Sequence, residues 1–288
     1  MSKIKLIAID IGGTLIDDNN NIPPENIEIL KRMKKQGLKI ALVTARMLSS
    51  TKYISNVIEC DYGVYGNGSN IIDLNNNKVL YLEKLSNKNL ESLLNFGKKE
   101  NLYIHLNQVF QEVSDQKKYF ALKHILLNKK YPSNLQSNVE IVSSLKDYIN
   151  NTDNIVKLVF VSKSNLDAIK EKISKEFPDI FITEYNTNLN ETAINEVINY
   201  IEIGAKATTK AQGVKKLANI LNLNQEEILV IGDGNNDIEM FKTFKNSGCL
   251  KNGTSEAKAN ANYVSEKNNN EGGLSEIIEY YINKEEEQ

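Results

Sequence analysis

The sequence predicts an α/β fold: a Rossmann-like, doubly wound parallel sheet interrupted by an inserted α+β domain. Three observations predict it. The segments Ile4–Asp10, Leu38–Thr44 and Ile228–Ile231 are apolar runs of the kind found in strands buried on both faces. Helical periodicity alternates with them, giving a βαβ rhythm whose crossovers are right-handed. Between roughly Glu83 and Asn199 that rhythm gives way to a different mixture of helices and short strands, and after Glu202 it returns.

Each element has its own local reason. The first strand runs into Gly12-Gly13-Thr14, which marks a tight turn needing a permissive backbone. Pro23 and Pro24 then open a helix, with Ile27, Leu30 and Met33 or Lys34 on one face and Gly37 as its stop. A second buried strand, a helix around Ser50–Ile58 and a short strand near Val64 follow. In the middle, Asn87–Lys99 and Ser164–Phe177 read as helices, and Ile155–Val161 and Ile180–Thr183 as strands. Thr208 or Thr209 caps a helix carrying Val214, Leu217, Ala218 and Leu221. Ile228–Ile231 then ends in Gly232-Asp233-Gly234. Residues 1–83 and 200–288 therefore form the sheet domain, and 84–199 the insertion.

Composition narrows the chemistry. With 35 Lys+Arg against 37 Asp+Glu, there is no basic surplus for a nucleic-acid partner and no charge block for a membrane surface. Only 2 His and 2 Cys exclude a zinc site of several such residues and a disulfide framework. Cys60 and Cys249 read as small buried apolar residues in a reducing compartment, and His105 and His124 as structural residues. Asp10 breaks the N-terminal apolar run too early for a signal peptide, and no apolar stretch approaches the roughly 20 residues of a membrane helix. A cytoplasmic protein, monomeric or weakly dimeric, is expected. Asn clusters at 19–21, 75–77 and 268–270 read as turn material.

Chemistry then falls to carboxylates, Lys, hydroxyls and backbone. In open parallel sheets ligands bind at the carboxyl ends of the strands, which puts Asp10, Thr44 and Asp233 on one rim. Asp237 follows four residues after Asp233. Carboxylates gathered there repel unless a cation holds them, and oxygen-only ligands suit Mg2+ alongside a substrate phosphate. Lys210, near a helix start, and Thr44 complete a set suited to phosphoryl transfer, in which an Asp carboxylate can be the nucleophile.

Four motifs, in order, resemble those of the haloacid dehalogenase superfamily of phosphohydrolases: Ile9-Asp10-Ile11-Gly12-Gly13-Thr14-Leu15, Val43-Thr44-Ala45-Arg46, Lys210, and Gly232-Asp233-Gly234-Asn235-Asn236-Asp237-Ile238-Glu239-Met240. Gly66-Asn67-Gly68, Asn252 and Asn270-Glu271-Gly272-Gly273 further resemble its Cof-type branch. The resemblance implies a Mg2+-dependent hydrolase of a small phosphorylated metabolite, a sugar phosphate above all, with a cap that closes over the site, excludes water and selects the substrate. It implies Asp10 as nucleophile and metal ligand, with Asp233 as second ligand and Asp237 as metal support. The Gly12 carbonyl would contribute to the metal site. Thr44, Lys210 and Asn236, with the amides of Ile11 and Ala45, would hold the phosphoryl group.

One position departs. The family's first motif ordinarily carries a second Asp two residues after the first, which protonates the leaving group and later activates water; here it is Gly12. Losing such a group typically costs about 10²–10⁴-fold. The sequence thus admits a slow phosphatase or a phosphate-ligand-binding protein impaired in catalysis. Asp10-Ile11-Gly12-Gly13-Thr14 also resembles the first phosphate loop of actin-like sugar kinases, a reading that leaves the other motifs unexplained.

Overall fold

The apolar run at the N-terminus becomes the middle of the sheet. The computed structural model describes residues 4–188, 197–206 and 208–286. In chain order the first elements are β1 (Leu6–Ile9), α1 (Pro24–Lys35), β2 (Lys39–Val43), α2 (Lys52–Val57), β3 (Tyr62–Tyr65), β4 (Asn70–Asp73) and β5 (Lys78–Leu82). Then come α3 (Asn87–Lys99), β6 (Tyr103–Gln108), β7 (Glu112–Ser114), α4 (Tyr119–Asn128), β8 (Val139–Ile141), α5 (Leu145–Asn150), β9 (Ile155–Ser162), α6 (Asp167–Glu176), β10 (Phe181–Asn188) and β11 (Val197–Gly204). The chain ends with α7 (Lys210–Ile220), β12 (Ile228–Gly232), α8 (Ile238–Thr243), β13 (Asn246–Cys249), α9 (Ser255–Asn260), β14 (Tyr263–Val264) and α10 (Gly273–Glu286). The chain divides into two compact units. One comprises Met1–Arg46, Ile54–Tyr81 and Thr208–Gln288, and the other Met47–Tyr53 and Leu82–Ala207.

The first unit holds a sheet in the order β14-β13-β12-β1-β2-β3-β4-β5. The pairs from β14 through to β3 are parallel, and β4 returns antiparallel to β3. The doubly wound sheet expected from the sequence is therefore present, with an antiparallel margin that the βα rhythm does not announce. Along β1, successive side chains enter opposite cores, as period 2 requires. Ile7 and Ile9 pack with α1 and α10, through Leu30, Met33, Leu274 and Ile277. Leu6 and Ala8 pack with α7 and α8, through Val214, Leu217, Met240 and Phe241. Each such Leu or Ile, fully buried, contributes about 1.5–3 kcal/mol. The buried stripe of α1 is Asn26, Ile29, Leu30 and Met33; Ile27 is only half-buried. Asn26 earns its place by donating from Nδ2 to the Leu15 carbonyl (3.1 Å).

The second unit holds a sheet in the order β10-β11-β9-β6-β7-β8. One face is apolar and lies under α3, α5 and α6, through residues such as Leu90, Leu94, Ile149, Leu158, Phe160 and Ile173. Registry places His105 opposite Val159, Asn107 opposite Lys157, and Glu202 opposite Val159, so these residues share the other face. Lys157 and Glu202 form an ion pair there (2.6 Å). Both histidines of the chain bond one buried carboxylate, Glu112: His105 Nε2 at 3.2 Å, and His124 Nδ1 still closer.

The turn-forming role of Asn is visible throughout. Among the described non-glycine residues with positive φ are Asn20, Asn67, Asn77, Asn101 and Asn222. Short polar side chains that bond local backbone are the ones that tolerate this conformation. Cys60 and Cys249 are free and buried, and burial pushes both thiols up to about 12.

Candidate active site

The chain order of the strands reverses at β1: β2 and β3 lie on one side, and β12, β13 and β14 on the other. A crevice opens at the carboxyl ends of strands at such a reversal. Asp10 follows β1 directly, its amide bonded to the Ile231 carbonyl (2.9 Å), and Asp233 follows β12. Thr44 follows β2, anchored through its amide to the Val64 carbonyl (2.9 Å).

Between β1 and α1 the backbone makes a tight turn in which Gly13 adopts φ 72°. A Cβ at residue 13 would stand 2.3 Å from Asp233 Oδ2, so glycine is required both by conformation and by the approach of the second strand end. The same turn ties Asp233 down. Thr14 Oγ1 donates to Asp233 Oδ1 (2.7 Å), while Asn252 Nδ2 donates to the Gly13 carbonyl (2.8 Å). Gly232 likewise leaves room for Asp237, whose Oδ2 accepts from the amides of Asp233 (3.0 Å) and Gly234 (2.9 Å).

Lys210 opens α7, with Thr209 as its N-cap accepting from the Gln212 amide (3.2 Å). Its depth is set by close packing. Gly213 of α7 lies so near the 66–68 turn that a Cβ there would come within 2.8 Å of Gly68 Cα. The amide of Asn67 in that turn donates to the Thr44 carbonyl (3.0 Å), so one turn positions both Thr44 and Lys210. Lys210 is 1% exposed, and its Nζ donates to Asp10 Oδ1 (2.6 Å) and Asp237 Oδ1 (2.7 Å).

Carboxylate oxygens of Asp10, Asp233 and Asp237 lie within 4.8 Å of one another. Burial raises Asp10 to about 6; Lys210 opposes that rise and Asp237 adds to it. Burial also raises Asp233, against the Thr14 hydrogen bond. For Lys210, burial works against the charge, yet Asp10 and Asp237 more than offset it and hold the ammonium above its usual value. The cluster is a set of buried and half-buried oxygens that repel one another, and among the described residues Lys210 is the cation paired with it.

Of the residues read from sequence, Asp10, Asp233 and Asp237 thus gather in one cluster, and Lys210 bonds Asp10 and Asp237 within it. Thr44 is buried on the neighbouring strand end, its hydroxyl accepting from the Arg46 amide (3.2 Å). Ile11 is buried, Ala45 half-buried, and Asn236 exposed in the turn before α8. Gly12 has φ −77° and ψ 124°. Thr14 and Asn252 were present in the motifs without an assigned role; their partners show that they bind the two strand-end turns together.

A family of haloacid dehalogenase-like hydrolases matches residues 7–278. The chain belongs to this family of hydrolases. It is similar to MG265 of Mycoplasma genitalium, provisionally named a phosphatase, at 26% identity over 97% of this chain and 99% of the other. Among solved structures, a haloacid dehalogenase-like hydrolase from Bacteroides thetaiotaomicron is similar with a TM-score of 0.79, at 21% identity over 97% of this chain and 100% of that one. The sugar phosphatase BT4131 is similar with a TM-score of 0.68, at 19% identity over 96% and 98%. No helix among the described residues is long and apolar enough to cross a membrane.

Proposed function

We propose that the chain hydrolyses a small phosphorylated metabolite, with Mg2+ as cofactor and an aspartyl-phosphate at Asp10 as intermediate. The trio Asp10, Asp233 and Asp237 around Lys210 carries this reading. Three carboxylates against one ammonium leave two negative charges, which a divalent cation balances. Oxygen-only donors fit Mg2+. Asp10, Asp233 and the Gly12 carbonyl would hold it, with Asp237 in support. When bound, the ion neutralises charge on the transferring phosphoryl group.

The chain's own residues do the rest. Lys210 favours Asp10 as an anion, the form that attacks phosphorus. Thr44, Lys210, Asn236 and the amides of Ile11 and Ala45 bind the phosphoryl oxygens. Substrate choice belongs to the inserted domain, 84–199, and the reducing compartment suited to two buried thiols is the cytoplasm. The sugar-phosphate class draws support from the relatives, since BT4131 is a sugar phosphatase. A sugar kinase would need a second Asp-Gly phosphate loop, and at Asp233-Gly234 the backbone amides are taken by Asp237.

The test is phosphate release from p-nitrophenyl phosphate. Turnover should vanish with EDTA, return with Mg2+, and fall in Asp10→Asn by on the order of 10⁴–10⁶. Turnover surviving in Asp10→Asn sinks the aspartyl-phosphate assignment. Gly12 favours a second reading, a phosphate-ligand-binding protein without turnover. Saturable phosphate binding with no release by the unmodified chain would select it.

A further inference from the structure

The missing carboxylate at residue 12 is not imposed by the fold. Gly12 has φ −77° and ψ 124°, backbone that any L-residue adopts. A Cβ built there meets nothing nearer than Arg46 Nη2, at 3.8 Å. Its neighbour is the opposite case, since Gly13 is required by positive φ and by Asp233. Room and conformation for an acid exist at residue 12, and no acid is there.

The nearby acids are committed elsewhere. Asp17 accepts from the amides of Asn19 (2.9 Å) and Asn21 (2.7 Å), closing its own loop. Asp18 accepts from the side-chain amides of Asn269 and Asn270 (3.0 Å each), and those hydrogen bonds hold its carboxyl below the usual range. Asp233 is bonded by Thr14, and Asp237 by two amides and Lys210. Both histidines engage Glu112 within the other unit. The group that faces residue 12 is the Arg46 guanidinium. It stays charged, so it can bond an anion but does not hand over a proton.

We infer that this site turns over phosphoryl compounds whose leaving group departs as a stable anion, namely acyl phosphates, phosphoanhydrides and acidic aryl phosphates, and is slow on phosphates of ordinary alcohols. The inference rests on the phosphatase reading above and narrows it. An Asp10 oxygen forms a bond to phosphorus as the bond to the leaving oxygen breaks. That oxygen keeps the bonding pair, departs as an anion toward Arg46, and takes any proton later from solvent. Water then attacks phosphorus and the bond to Asp10 breaks. The electron pair returns to the carboxylate, and a proton passes from the attacking water to solvent. The balance is one water consumed, with inorganic phosphate and the leaving group released. An alkoxide cannot leave readily on these terms, and a carboxylate, a phosphate or an acidic phenolate can.

The experiment measures kcat/KM in Mg2+ for the full chain on acetyl phosphate, a graded series of aryl phosphates and glycerol 2-phosphate. The same series is run on Gly12→Asp, Gly12→Asn and Asp10→Asn. The unmodified chain should slow steeply as the leaving group becomes more basic. Gly12→Asp should raise the rate on glycerol 2-phosphate relative to that on acetyl phosphate by about 10²–10⁴, a ratio that any general effect on the metal site leaves unmoved. Gly12→Asn, of similar size without the acid, should gain nothing.

The inference is overturned if Gly12→Asn matches Gly12→Asp, or if both slopes are equal. Should Gly12→Asp fail to fold, the unmodified chain decides: equal rates on glycerol 2-phosphate and acetyl phosphate overturn the inference. Activity that survives in Asp10→Asn instead overturns the phosphatase reading, and the inference with it. A flat slope with Asp10→Asn inactive overturns the inference alone.

Discussion

Two adjacent glycines do opposite work. Gly13→Ala places a Cβ against Asp233 in a left-handed conformation, and should cost about 1–3 kcal/mol. Gly12→Ala fits its space and its φ, so it should stabilise by about 0.4–1 kcal/mol, mainly by restricting the unfolded chain. Urea unfolding of the two variants checks both; equal losses would refute the contrast. The sequence shows a Gly-Gly pair and cannot say which member the backbone needs. That depends on Asp233, which approaches from the far end of the chain. The same distance hides the partners of Thr14 and Asn252, whose hydrogen bonds span 219 and 239 residues. No periodicity encodes such pairs. Asp10, Lys210, Asp233 and Asp237 were legible because each sits in a short motif at a strand or helix end.

Elements were legible where pattern and punctuation agreed. The helix read over Asn87–Lys99 forms with those bounds, because Ser86 caps it and its apolar spacing holds for three turns. The same holds for α7, whose Thr209 cap sets the turn that presents Lys210. Thr209→Ala should cost about 1 kcal/mol by leaving the Gln212 amide without its acceptor, and Thr209→Asp should retain most of it. Thermal unfolding measures both; an Ala variant as stable as the unmodified chain would refute the cap's role. By contrast, β4 and β5 were not anticipated. An antiparallel return needs only a tight turn, here Gly66–Gly68, and no crossover helix to announce it.

At the scale of the molecule, the second unit carries an acid-sensitive centre of its own. In the Leu82–Ala207 unit, burial alone would push the Glu112 carboxyl up. The charge of His124 and the hydrogen bonds from both imidazoles outweigh burial and hold it well below the usual range. Its folded value thus lies below its unfolded value of 4.5. The stabilisation is complete above that pH and is lost as pH falls below it. Acid unfolding, followed by hydrogen exchange of the amides in the Leu82–Ala207 unit, should steepen below 4.5 and flatten in Glu112→Gln. Identical profiles for the two proteins would refute the coupling.

The first unit is discontinuous, and this has a consequence for how the chain comes into being. β1 meets β2 within a few dozen residues, but its other neighbour, β12, is encoded only after Leu82–Ala207 has been made. At ribosomal speed the interval between Asp10 and Asp237 is on the order of ten to forty seconds. During that time one edge of the central strand has no partner, the situation in which unpaired strands find the wrong one. The inserted unit is complete in sequence before the sheet that carries the carboxylates can close. A nascent chain therefore has no assembled Asp10–Asp233–Asp237 cluster until Asp237 has left the ribosome.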